Sequence, residues 1–252
     1  MKCIPLLFAA IIFVTSASAQ EAPRTGSFEA SASLEQIFGA AEAPDVGRAL
    51  PPDKPIQFQL YVPSTYDPAN PPGVFVYTSP MRHGAVPDGW EGVLDEANLI
   101  WISAEKSGNG TPDVRRMSEA IAALALVRKD YVTAPGRSYA SGLSRGGQIT
   151  SLLVEYFPDV FDGALFVCGA EKLEVSDEAA LAKMAQRRFV FLTGTQDFAR
   201  FRMRDAYQAY LDAGLENSTF MEISGMDHRN PDAEDFAEAL TFLDNRSVEE
   251  NP

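Results

Sequence analysis

Residues 138–147 read SYASGLSRGG, a short apolar run that leads into a serine between glycines. The turn Gly142-Leu143-Ser144-Arg145-Gly146 matches the pattern G-x-S-x-G, with a predicted strand at Ser138–Ser141 before it and a predicted helix after it. Such a tight turn leaves no room for side chains beside the serine, which explains the two glycines. The serine hydroxyl is then presented at a helix N-terminus, where backbone N–H groups favour developing negative charge. Ser144 is therefore the candidate nucleophile.

Strands and helices are predicted to alternate along most of the chain. Four helices are predicted: one begins at Thr111, one follows Ser144, one includes Met203 to Leu211, and one begins at Asn230. Alternation of helices with almost wholly apolar strands predicts a mostly parallel sheet that is covered on both faces. The ligand site of such a sheet lies beyond the carboxyl ends of its strands. Besides Ser138–Ser141, the predicted strands are Ile56–Val62, Val74–Tyr77, Leu99–Ser103, Ala164–Val167, Phe189–Leu192 and Thr219–Ile223.

A serine nucleophile needs a base, usually a histidine that is held by a carboxylate. The chain has two histidines, and in this fold class the acid and then the histidine follow the serine along the chain. His228 is therefore the candidate base, and His83 is predicted to be a surface residue. The strand Phe189–Leu192 leads into Asp197, which is the predicted acid. Two other carboxylates, Asp205 and Asp227, remain open as alternatives.

These residues resemble the α/β-hydrolase superfamily, and more narrowly secreted esterases of the polyhydroxybutyrate-depolymerase and feruloyl-esterase type. The resemblance covers most of the chain from Gln57 to Asp244. It implies an α/β-hydrolase fold and a secreted serine hydrolase that cleaves a carboxylic ester through an acyl-enzyme intermediate. The residues that carry it are Tyr61-Val62-Pro63, Ser141 to Gly147, Tyr156-Phe157-Pro158 with Phe161, Gly194 with Asp197, and Gly225 with His228.

The oxyanion hole departs from the pattern of many relatives, which have His-Gly-x after the strand that corresponds to Val74–Tyr77. The resemblance implies that the backbone N–H of Arg145 is the first donor. Pro80 occupies the position of the second donor and has no N–H. The N–H of Ser79 or Met81, or the hydroxyl of Ser79 or Tyr77, is predicted to replace it, and Tyr77 and Met81 are predicted to contact substrate.

A second departure concerns the lid that many lipases insert after the strand at Ala164–Val167. Here only the seventeen residues Glu171–Arg187 are available, enough for one helix, so we expect no large lid domain and an open cleft. An open cleft suits a small-molecule or polymer-attached ester.

The domain organisation follows from shifts in composition. An apolar run, Ile4–Val14, that ends in small residues predicts a signal peptide and hence a secreted or periplasmic protein. The next stretch is poor in large apolar residues, with one edge strand expected around Phe28. We therefore predict a signal peptide over 1–19, a partly ordered lead-in over 20–55, an α/β-hydrolase domain over 56–246 and a flexible tail over 247–252.

Composition and missing motifs exclude several other classes. A net charge of −14 argues against nucleic-acid and anionic-membrane partners, because phosphates are bound by clustered lysine and arginine. With two histidines and two cysteines, no metal site is expected, and no phosphate-loop or dinucleotide motif predicts a cofactor. Two alternatives remain open: a serine peptidase of prolyl-oligopeptidase type and a non-catalytic binding protein on a hydrolase scaffold. Resemblance to the peptidase type implies a tyrosine hydroxyl in the oxyanion hole, a role for which Tyr77 is the candidate.

Overall fold

The computed structural model describes residues 23–44, 47–175 and 177–244. The predicted signal peptide, 1–19, and the predicted tail, 247–252, lie outside these residues. Within the described ranges, no helix combines the length and the apolar character that a membrane span requires.

Eight described strands form one sheet in the order β1-β2-β4-β3-β5-β6-β7-β8. β1 and β2 pair antiparallel, as do β2 and β4, and every pairing from β4 through β8 is parallel. The central strands are almost fully buried because both faces of the sheet are covered. The strands are β1 (Gly26–Ala32), β2 (Ile56–Val62), β3 (Gly73–Thr78), β4 (Leu99–Ala104), β5 (Ser138–Leu143), β6 (Gly163–Val167), β7 (Arg188–Gly194) and β8 (Ser218–Ile223).

Helices cover the two faces of the sheet unequally. The described helices are α1 (Leu34–Phe38), α2 (Trp90–Glu96), α3 (Asp113–Asp130), α4 (Arg145–Tyr156), α5 (Glu178–Met184), α6 (Arg200–Asp212) and α7 (Ala233–Asp244), with a 3-10 turn at Gly47–Ala49. Apolar residues of α1, α3, α4, α5 and α6 pack into one core, and those of α2 and α7 into the other. Each core buries one face of the sheet, which supplies the main driving force for folding.

The predicted α/β class and the mostly parallel, doubly covered sheet are confirmed. Each apolar run that predicts a strand lies in one, and β1 lies at the sheet edge where a strand is expected around Phe28. Between β6 and β7 the described residues contain one helix, α5, and no inserted domain. The carboxyl ends of β3, β5, β6, β7 and β8 consequently meet at one open edge.

Candidate active site

Ser144 stands at a sharp corner between β5 and α4. Its backbone has φ 57° and ψ −120°, a conformation that side-chain-bearing residues rarely adopt. The corner is held by the Ser144 N–H, which donates to the carbonyl of Val167 at 2.8 Å. The N–H groups of the first turn of α4 have no intrahelical partners at this end. A strained residue that the surrounding structure holds in place is typical of a functional site.

The glycines beside Ser144 are needed for close packing. A Cβ atom on Gly142 would lie 2.7 Å from the carbonyl oxygen of Thr78, and a Cβ on Gly146 would overlap the same oxygen. Thr78 ends β3, so the corner is pressed against the neighbouring strand. The sequence explanation for these two glycines, that side chains have no room there, agrees with this packing.

Asp197 and His228 come together as the acid and base of the prediction. Nδ1 of His228 lies 2.7 Å from Oδ1 of Asp197, and the carboxylate is almost fully buried. Because an ionised carboxylate only accepts hydrogen bonds, Nδ1 carries the proton and Nε2 is left as an acceptor. Neither alternative acid makes this contact: Asp227 pairs with Arg229 at 3.3 Å, and Asp205 is exposed on α6.

Hydrogen bonds keep Asp197 ionised in spite of its burial. Burial alone raises the pKa of this carboxyl, but hydrogen bonds from the Thr193 hydroxyl, the Ala199 N–H, His228 and Cys168 outweigh that effect and hold the pKa below its usual value. The Thr193 hydroxyl is 2.6 Å from Oδ2 and the Ala199 N–H is 2.9 Å from Oδ1. A permanent negative charge thus lies behind the imidazole.

Cys168 completes a cluster with Asp197 and His228, whose potential metal-binding atoms lie within 4.8 Å of one another. A thiol binds metal as a thiolate. Burial and the neighbouring charge of Asp197 instead raise the pKa of the Cys168 thiol well above its ordinary value. The thiol is therefore protonated at neutral pH, and its sulfur lies 3.5 Å from the carbonyl oxygen of Arg229.

Ser144 and His228 line one cavity of about 150 Å³. Within the described part of the chain, no hydrogen bond joins the Ser144 hydroxyl to the imidazole. In enzymes without substrate such bonds are often long or misaligned and tighten when substrate binds. The other residues that line the cavity are Arg145, Gln148, Cys168, Gly169, Ala170, Phe198, Ala199, Arg202 and Met203.

Phe198 is a neighbour of the imidazole that the sequence analysis did not identify. Its ring stacks on His228 with the centroids 4.1 Å apart and the planes 27° apart, while 80% of the residue is exposed. The stack covers one face of the imidazole, and Phe198 also lines the cavity. Its position directly after Asp197 was the available signal.

The loop after β3 uses most of the groups that were predicted as a second oxyanion donor. The Ser79 hydroxyl donates to the carbonyl of His83 at 2.9 Å and accepts from the Met81 N–H at 3.1 Å. The Tyr77 hydroxyl donates to Oδ1 of Asn230 at 2.8 Å. Among the four groups proposed from sequence, the Ser79 N–H is the one not engaged in these bonds.

A buried arginine supports the same loop. Nη2 of Arg116 donates to the carbonyl oxygen of Ser79 at 2.8 Å, and the residue is almost fully buried. Burial, followed by repulsion from Arg145, lowers the pKa of Arg116 to about 10, so the side chain remains charged at neutral pH. Arg116 thus fixes the peptide beside the candidate oxyanion hole.

Three further residues lie away from the cavity. Tyr77 is buried between Trp90 and Trp101, whose ring centroids are 5.9 and 6.0 Å from its own. Met81 is 68% exposed on the loop after β3. His83 lies on the surface and pairs with Glu105 at 3.3 Å. A substrate contact by Tyr77 or Met81 therefore stays a prediction without support from the cavity lining. Ser79 is likewise not among the lining residues, so its role as an oxyanion donor also stays a prediction.

The low pKa of Asp197 predicts a stability that depends on pH. A carboxyl whose pKa is lower in the folded than in the unfolded state stabilises the fold above its unfolded pKa, and this contribution is lost as the pH falls through the folded pKa. We expect Asp197→Asn to lower the free energy of unfolding by about 1.5 to 3 kcal/mol at pH 7, because hydrogen bonds to the charged group are lost.

Urea unfolding at pH 7 and at pH 3 measures this effect. The difference in free energy of unfolding between wild type and Asp197→Asn should be smaller at pH 3, where the wild-type carboxyl begins to take up its proton. Asp205→Asn, on the exposed face of α6, is the matched control and should change stability little at either pH. A difference between wild type and Asp197→Asn that is equal at both pH values would contradict an ionised, stabilising Asp197.

In comparisons with known proteins, the support for this architecture comes from solved structures alone. A scan against family profiles and a search of curated proteins both find no match. Among solved structures, a ferulic acid esterase matches with a TM-score of 0.61 at 15% identity, over 86% of this chain and 95% of that one. The S-formylglutathione hydrolase of Staphylococcus aureus matches with a TM-score of 0.59 at 15% identity, over 88% and 99%.

A peptidase shares the fold as well. The dipeptidyl peptidase 4 of Porphyromonas gingivalis matches with a TM-score of 0.53 at 14% identity, over 75% of this chain but 33% of that one. At such low identity these likenesses establish the fold and leave the chemistry open. The chain has the α/β-hydrolase fold that its sequence resembles.

Proposed function

We propose that this protein is a serine esterase that cleaves a carboxylic ester through an acyl-enzyme. Ser144 attacks the ester carbonyl, and Nε2 of His228 takes the serine proton and returns it to the leaving alcohol. Asp197 orients the imidazole and stabilises the imidazolium that forms. Water then attacks the acyl-enzyme by the same route. The observation that carries the proposal is the strained corner of Ser144, which shares a cavity with the Asp197–His228 pair.

The oxyanion would be stabilised by two backbone donors. The N–H of Arg145 begins α4 at the corner. The N–H of Ser79 supplies the second donor in our proposal, held in place by the bond between Arg116 and the Ser79 carbonyl. Two preorganised N–H groups of this kind account for a large part of catalysis in acyl transfer. A secreted or periplasmic location, predicted from residues 1–19, belongs to the same proposal.

Covalent labelling tests the proposed nucleophile without knowledge of the substrate. A fluorophosphonate reacts with an activated serine, so peptide mapping of the labelled, folded protein should place the adduct on Ser144. We expect His228→Ala to abolish labelling, since the serine then has no base. An adduct on another residue, or wild-type protein that stays unlabelled while folded, would refute the assignment and favour a non-catalytic binding protein.

A serine peptidase is the second candidate function, because dipeptidyl peptidase 4 has the same fold. The sequence-based prediction for such a peptidase assigns a tyrosine hydroxyl, that of Tyr77, to the oxyanion hole. That hydroxyl is buried and bonded to Asn230, which favours the esterase. Turnover of one ester and of its matching amide separates the two: an esterase is expected to leave the amide intact, whereas enzymatic cleavage of the amide that Ser144→Ala abolishes would favour the peptidase.

A further inference from the structure

The cavity at Ser144 is lined by basic and not by acidic side chains, in a chain that is strongly acidic. The chain has 35 acidic and 21 basic residues. The residues that line the cavity nevertheless include two arginines, Arg145 and Arg202, and no aspartate or glutamate. Asp197, the nearest carboxylate in the mechanism, is buried behind His228 and bonded to it. The cavity therefore differs in charge from the surface around it.

The two arginines are in different electrostatic situations. Arg145 is neutralised by Asp113 at 2.6 Å and by Glu171 at 3.1 Å. Arg202 has no ion-pair or hydrogen-bond partner among the residues that the structure describes, although Asp205 lies one turn further along α6. Its exposed guanidinium is thus free to bind an anion.

Neighbouring charges on α6 are already engaged. Arg200 donates to the carbonyl of Thr195 and lies over the ring of Phe201. Arg204 pairs with Glu222 at 3.0 Å. Arg202 is therefore the one arginine of this helix turn that both lines the cavity and lacks a partner among the described residues.

The rest of the lining is small and apolar, with Ala170, Ala199, Met203 and the ring of Phe198. At about 150 Å³ the cavity is large enough for several atoms of a ligand beside the serine. A short chain of carbon atoms next to the ester fits such a space, and the Arg202 side chain lines the same space.

We propose that the cavity selects an ester that carries a carboxylate, and that Arg202 binds this carboxylate. This inference rests on the proposed esterase function and names its substrate class. The guanidinium presents paired N–H donors that match the two oxygens of a carboxylate, so the contact gives orientation as well as attraction. Arg202 acts in specificity and takes no part in proton transfer.

Matched substrates test the charge and its location in the ester. Monomethyl glutarate and the methyl ester of glutaric acid monoamide differ only in whether the acyl chain ends in a carboxylate or in a neutral amide. The pair 4-acetoxybenzoate and 4-acetoxybenzamide places the same difference on the alcohol side. The quantity measured is the ratio of kcat/KM for the charged substrate to kcat/KM for its neutral partner.

We expect Arg202→Gln to lower this ratio about five- to tenfold in one of the two pairs, and Arg202→Lys to restore part of it. Arg204→Gln, which removes the same charge two residues away, should leave the ratio unchanged. Equal ratios in wild type and Arg202→Gln for both pairs, or an equal loss in Arg204→Gln, would overturn the inference.

A binding measurement separates this inference from the esterase proposal. If wild-type protein cleaves none of the four esters, fluorophosphonate labelling of Ser144 decides the esterase proposal, and glutarate binding by calorimetry decides the role of Arg202. Binding that Arg202→Gln weakens by five- to tenfold sustains the anion site. Absence of glutarate binding in wild type would refute it.

Discussion

Ser144→Ala is expected to reduce ester turnover by about 10⁵- to 10⁶-fold with the fold intact. The loss is this large because no other described hydroxyl lies at the corner where the cavity, His228 and the N–H of Arg145 meet. An ester hydrolysis assay measures the turnover, and circular dichroism of the same samples shows whether the fold is retained. Ser118→Ala, at a partly exposed serine on α3 whose hydroxyl donates to the carbonyl of Val114, is the control and should keep full activity.

One substitution of Ser144 that abolishes activity is expected to increase the stability of the fold. Ser144 has φ 57°, and strain of this kind costs about 1 to 3 kcal/mol in a residue with a side chain. Ser144→Gly should therefore be inactive yet more stable than Ser144→Ala by about 1 kcal/mol in urea unfolding. Turnover in Ser144→Ala within tenfold of wild type would remove Ser144 from the mechanism. A Ser144→Gly variant that is less stable than Ser144→Ala would contradict the inferred backbone strain at residue 144.

The sequence predicts the framework of the fold because the buried strands are almost continuously apolar. β2 to β8 each coincide with such a run, and the helices that carry long apolar stripes, α3, α4 and α6, lie where the stripes predict them. The helix α2 carries its apolar residues, Trp90, Val93 and Leu94, over only seven residues and has no side-chain cap, because it starts after Gly89 in a left-handed conformation. Trp90 is fully buried against Phe236 in that helix layer.

The residues of the candidate site also differ in whether the sequence predicts their positions. Gly142 and Gly146 follow from local chain geometry, which a sequence motif encodes directly. The contacts of Thr193, Phe198 and Arg202 arise from the way β7 and α6 pack beside the corner, and nothing in their sequence neighbourhood fixes those distances. The donor bonds of the loop after Thr78 likewise depend on Arg116, which is far away in the chain.

Gly146→Ala should destabilise the fold by about 3 kcal/mol or more and remove activity with it. A Cβ there overlaps the carbonyl oxygen of Thr78, which belongs to the backbone of β3. β3 pairs with β4 on one side and β5 on the other, so Thr78 has little freedom to withdraw. A clash with backbone is costlier than one with the end of a flexible side chain, which changes rotamer.

Gly92→Ala provides the matched control for this substitution. Gly92 lies in α2, is exposed, and has no atom within 4 Å of the position where a Cβ would stand. Alanine stabilises a helix interior by roughly 0.5 to 1 kcal/mol relative to glycine, so Gly92→Ala should raise the midpoint of urea unfolding. If Gly146→Ala unfolded at the same urea concentration as Gly92→Ala and kept its activity, the corner could relax around a side chain. Ser144 would then owe its conformation to something other than contact with β3.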